Sequence, residues 1–172
     1  MTNIDKDHKM KQSEEKIRTG KDHDMGQQSS GELKYVSMLH RKTQIFLNER
    51  TKALGVSGAK VPFIFIACEC GKLPQYQFCS MLDISKGTVA KMLAGLEKEG
   101  YITRSISAQD GRSMDVFPTQ KALDLYPRLV EIGCRCTDKM TEGLTEEERE
   151  QFFRLLKKTA LTMSRFVEAE QD

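Results

Sequence analysis

Five cysteines and three histidines are the residues of this chain best suited to covalent or metal chemistry. Cys68 and Cys70 form one Cys-x-Cys pair, and Cys134 and Cys136 form another. On a helix, such neighbours point about 200° apart, and zinc sites usually space paired ligands more widely, as Cys-x₂₋₄-Cys. No metal site is therefore assigned. Free Cys packs as a small hydrophobe, while redox sensing by one of these thiols stands as an alternative. His8 and His23 are scattered among polar residues, so Ser–His or Cys–His catalysis would rest on His40 alone. With no nucleophile–base pairing and no Gly-rich phosphate loop, no catalytic residue, no cofactor and no enzyme activity is expected.

A second kind of chemistry, contact with a polyanion, is written into residues 85–100. Val89, Met92, Leu93 and Leu96 recur at helical spacing and form one apolar face. The opposite face carries Gly87, Ala90, Lys91, Ala94 and Lys98, slim residues with two cations. Such a helix suits a DNA major groove, about 12 Å wide. Taken alone, the same residues also fit a surface helix with solvated lysines. Ser85 is a good N-cap, and Gly100 ends the helix.

The neighbouring elements must position that helix. Upstream, Pro74 is expected at the first position of a short helix, with Phe78, Met81 and Leu82 turned inward. Asp83 falls in a turn that calls for a left-handed residue. Downstream, Ile102, Arg104 and Ile106 alternate with polar residues as in a half-buried strand. Asp110-Gly111 is a hairpin turn, Val116 and Phe117 form the return strand, and Pro118 stops it.

Glu32 to Leu54 reads as a long helix closed by Gly55. Its apolar surface, with Leu33, Val36 and Leu47, is wider than one partner helix needs. Val61 to Cys68 is a continuous apolar run that fits a buried strand or helix; its helical neighbours and Pro62 favour a helix starting near Val61. Thr119 caps a helix to about Thr141 that contains Pro127. Thr145 and Glu148 form a capping box for a last helix, with Phe152, Leu156, Ala160, Met163 and Val167 along one face. Residues 1–31 hold six Lys/Arg, six Asp/Glu and the run Gly26–Gly31, which reads as a disordered tail.

A chain of 172 residues with 38% hydrophobic and 30% charged content is one ordinary domain able to bury a core. The longest apolar run is too short to span a bilayer, so no membrane partner is expected. The N-terminus is polar, which makes a cytoplasmic location the expectation. The net charge of +2 does not by itself demand a nucleic acid. Residues 32–84 hold seven Lys/Arg against four Asp/Glu, and residues 142–172 hold five against eight. Any basic surface should thus lie mid-chain.

A helix-turn-helix followed at once by a hairpin, with long helices on both sides, resembles the MarR family of winged helix-turn-helix transcriptional regulators. The likeness covers about Glu32 to Val167. In the wing the family pattern is Asp, any, Arg, three of any, Val or Leu, any, Leu or Ile, Thr. Asp110, Arg112, Val116 and Thr119 match it, and Pro118 departs from it. Leu82–Leu93 and Leu96–Arg104 also look like the family's recognition helix and its exit.

The resemblance implies a mainly α fold with a small β-hairpin wing and long N- and C-terminal dimerisation helices. It divides the chain into a tail (1–31), a first dimerisation helix (32–56), a DNA-binding winged helix-turn-helix (57–118) and C-terminal dimerisation helices (119–172). It implies a homodimer on a pseudo-palindromic double-stranded DNA operator, with half-sites about 34 Å apart, acting as a repressor released by a small aromatic or phenolic ligand. Lys86, Gly87, Thr88 and Lys91 would face bases and phosphates. Ser85 and Gln75 would meet phosphate, and Arg112 a minor groove. Asp110 and Arg104 would support the wing. His40, Phe46, Phe63 and Tyr126 are candidates for an effector pocket. The alternatives are a thiol-based redox sensor with the same DNA output and, more remotely, a winged-helix module that binds another protein.

Overall fold

The computed structural model describes residues 25–108 and 111–170. His8, His23 and Asp110 lie outside them. Six α-helices occur among the described residues: α1 (Met25–Thr51), α2 (Val61–Cys70), α3 (Gln77–Leu82), α4 (Lys86–Lys98), α5 (Gln120–Met140) and α6 (Glu146–Ala169). Three strands join them: β1 (Leu73–Pro74), β2 (Ile102–Ile106) and β3 (Met114–Pro118). The chain divides into two units, Met1–Arg41 and Lys42–Asp172.

In the first unit, α1 begins at Met25, inside the stretch expected to be a tail. Extending a helix avoids the nucleation cost, so poor formers such as Ser29 and Gly31 can join one that the residues beyond them start. Leu33 and Val36 on this helix are each about two-thirds exposed.

Within the second unit, α1 tightens into a 3₁₀ turn, Lys52–Leu54, and stops at Gly55 with φ +72°. Gly58 then donates its N–H to Asn48 Oδ1 at 2.7 Å. A Cβ at Gly58 would sit 3.0 Å from Leu47 Cβ, so a larger residue would push this close approach apart by a few tenths of an ångström. The apolar run at Val61 is a helix, with Pro62 in its first turn, where the missing N–H costs nothing.

Pro74 does not start a helix. Leu73–Pro74 is an edge strand in the order β1-β3-β2, with Leu73 opposite Val116 and Pro74 opposite Asp115. The residue before a proline is pushed toward extended backbone, and proline, lacking an N–H, is tolerated at a sheet edge. Helix α3 therefore begins only at Gln77. Met81, expected inside, is 52% exposed. In so short a helix Phe78 and Leu82 face the core and Met81 falls at the rim.

β2 and β3 pair antiparallel, with Arg104 opposite Val116 and Ser105 opposite Asp115. The core gathers Phe63, Ile64 and Ala67 of α2, Phe78 of α3, Val89, Leu93 and Leu96 of α4, and Ile102, Val116, Ala122 and Leu129. Phe63 and Phe78 stack with centroids 5.9 Å apart. The capping box of Thr145 and Glu148 opens α6 as expected. No residue of α6 is buried, and Leu155, Leu156, Met163, Phe166 and Val167 are exposed. Among the described residues, no single helix is long and apolar enough to cross a membrane.

Candidate nucleic-acid interface

The site is built on α4. Ser85 stands at its N-cap in extended backbone, and its hydroxyl accepts the Thr88 N–H at 3.3 Å. The turn before it passes through Asp83 at φ +53°, the left-handed conformation that Asp tolerates better than most residues. Val89, Leu93 and Leu96 are wholly buried, which anchors one face of the helix. Lys86, Gly87, Thr88, Lys91, Ala94 and Lys98 are exposed along it. The slim cationic face predicted from spacing is thus the solvent face.

Tertiary folding adds residues from two other segments. Gln75, at the end of β1, donates its backbone N–H to Met114 O at 2.7 Å, which ties the start of the helix-turn-helix to the wing. Gln75, Lys86 and Arg112 line one cleft of about 320 Å³ together with Tyr76, Cys79, Ser113 and Met114. A larger open cleft, about 1020 Å³, separates α3 and the first turn of α4 from Met163 and Val167 on α6.

The wing is held by Arg104. Its Nη2 and Nε reach Glu97 Oε2 at 2.7 and 3.1 Å, and its backbone N–H donates to Glu97 Oε1 at 3.1 Å. Its Nη1 donates to Gln75 Oε1 at 3.2 Å. Hydrogen bonding from Arg104 lowers the Glu97 carboxyl below its usual value. An acid in the last turn of a helix is poorly placed for the helix dipole, so its use here is the guanidinium. Sequence reasoning does not single out Glu97; the only signal there is an acid and an arginine flanking the Gly100 turn.

The four pocket candidates lie on three helices, His40 and Phe46 on α1, Phe63 on α2 and Tyr126 on α5. His40 is exposed on α1 within the first unit. Phe46 lies half-buried under Arg50, whose guanidinium is 5.5 Å from the ring. Phe63 is core. Tyr126 donates its hydroxyl to Glu69 at 3.0 Å and meets Phe65 edge-on at 5.5 Å. Partial burial, with the Glu69 carboxylate beside it, holds this phenol above its usual pKa. Phe46, Phe63 and Tyr126 are not among the residues lining the two clefts of their unit.

Both cysteine pairs fall in helices. Cys68 and Cys136 are half-buried, and Cys70 and Cys134 are exposed. Burial raises the thiols of Cys68 and Cys136. Among the described residues no group of three or more His, Cys, Asp or Glu could hold a metal.

Residues 65–114, which span α2 to the start of β3, match the family model described as the MarR family. The chain is 25% identical over 133 residues to the uncharacterised HTH-type transcriptional regulator YybA of Bacillus subtilis (strain 168), covering 77% of this chain and 89% of that protein. It superposes with TM-score 0.71 and 25% identity on a MarR transcriptional regulator from Methanosarcina mazei, over 77% of this chain and 96% of the other. A MarR-family regulator from Listeria monocytogenes, crystallised with a 26mer DNA, shares the fold at TM-score 0.73 and 22% identity, over 77% and 89% of the two chains.

Proposed function

We propose that the chain is a DNA-binding transcriptional regulator of the MarR family that works as a homodimer on a pseudo-palindromic operator, as a repressor released by a small aromatic or phenolic ligand. One observation carries the DNA-reading part. Three segments distant in sequence bring Gln75, Lys86 and Arg112 to a single cleft at the N-terminal end of α4. Cations and amide donors converging at a helix N-terminus suit phosphate, and the slim exposed face beyond them lets the helix backbone approach base edges. The exposed apolar residues of α1 and α6 support a second copy as partner, since so much apolar surface on two helices is poorly suited to water.

A thiol switch is the second reading: the reactive species is the thiolate, which burial disfavours at Cys68 and Cys136, so it would use exposed Cys70 or Cys134.

The test is a gel-shift titration on duplex DNA enriched from a randomised pool by the parent chain. Lys91→Ala and Arg112→Ala should each weaken binding and flatten the salt dependence by about 0.9 in log–log slope for each phosphate no longer neutralised. Parent-like affinity and slope in both variants would sink the assignment.

A further inference from the structure

We infer that Arg104 and Glu97 act as positioning residues for DNA binding by fixing which end of the Gln75 side-chain amide is presented to the backbone phosphates. The inference rests on the DNA-reading proposal above. A guanidinium carries donors only. Because Arg104 Nη1 lies 3.2 Å from the Gln75 side chain, the amide must turn its carbonyl oxygen, Oε1, inward to Arg104. The –NH₂ group is then the end left to the cleft that Gln75 shares with Lys86 and Arg112. A phosphate oxygen only accepts, so this orientation is productive and the flipped one is not.

Arg104 is itself spoken for. Its Nε and Nη2 are both held by Glu97 Oε2, and its side chain is 20% exposed. Its charge is offset by Glu97, so it orients Gln75 without serving as a phosphate ligand. The Gln75 main chain is pinned separately by its N–H to Met114 O, so that the side-chain amide is the part left for Arg104 to set.

The experiment removes the pair without changing net charge, as Glu97→Gln with Arg104→Met, alone and combined with Gln75→Ala. Binding is measured by gel shift on duplex DNA enriched from a randomised pool, with thermal melts and salt slopes recorded for each variant. Removing the pair and Gln75→Ala should each weaken binding about tenfold, the scale of one hydrogen bond to a charged group. The combined variant should lose no more than either alone, at a parent-like salt slope. Losses that multiply in the combined variant would show that the pair acts independently of Gln75 and overturn the inference. Parent-like binding by Gln75→Ala would overturn it too, while leaving the DNA-reading proposal intact. Absence of any DNA binding by the folded parent would overturn both.

Discussion

Lys72 places its ammonium 3.0 Å from Oδ2 of Asp115, a carboxylate buried in the outer strand pairing of the wing. Oδ1 of the same carboxylate has no hydrogen-bond partner among the described residues. The pair clamps the short β1 edge to β3, next to the Pro74–Asp115 register position. Lys72→Met would leave a buried charge with no counterion. Lys72 is half exposed, so solvent screens the pair, and the expected cost is about 1–2 kcal/mol. Replacing both, as Lys72→Met with Asp115→Val, should recover part of that loss. Urea unfolding of the single and double variants checks it; a double variant less stable than the single would contradict this account.

Glu97 makes stability pH-dependent in a predictable direction. Its folded-state carboxyl is lowered, chiefly by the hydrogen bond from Arg104. A depressed carboxyl contributes stability above the unfolded-state value and loses it as pH falls through the folded-state value. The stability gap between parent and Glu97→Gln should therefore be constant near neutrality and shrink in acid. Melting curves across the acidic range measure it, and a gap that grows as pH falls would refute the sign.

Ser85 separates helix capping from phosphate contact. Ser85→Ala should cost about 1 kcal/mol through removal of the acceptor for Thr88 N–H. Ser85→Asp restores a capping acceptor and favours the helix dipole, so stability should return to near the parent. DNA binding should not return, because the new carboxylate would face phosphate. Recovery of both properties would remove Ser85 from the interface.

The exposed apolar side chains of α6 should decide assembly. Leu156→Glu combined with Phe166→Glu places charge on two exposed apolar positions of α6. The expected result is a folded monomer in sedimentation, with operator affinity sharply reduced because two half-sites are no longer bridged. An unchanged sedimentation coefficient would place the partner surface elsewhere.

Thiol reactivity should follow burial. At neutral pH, iodoacetamide should modify exposed Cys70 and Cys134 before Cys68 and Cys136, whose burial disfavours the thiolate. Peptide mapping over time reads the order. Labelling of Cys68 ahead of Cys70 would contradict this order.

By itself the sequence determined the features that depend on neighbours within one or two helical turns. The Ser85 and Thr145 caps, the left-handed Asp83, the buried stripe of Val89, Leu93 and Leu96, and the wing hairpin are all local matters of hydrogen bonding and periodicity. The tertiary structure alone decided what needs the chain to turn back on itself. It made Leu73–Pro74 a strand, because the edge of β3 was available to pair with it. It buried Asp115, a variable position in the wing pattern, beneath Lys72. It put Phe63 into the core against Phe78 and set Tyr126 edge-on to Phe65. It also linked Arg104 to Gln75 across 29 positions of sequence. Such partners leave no periodic trace, since side chains distant in sequence meet only where packed elements bring them together.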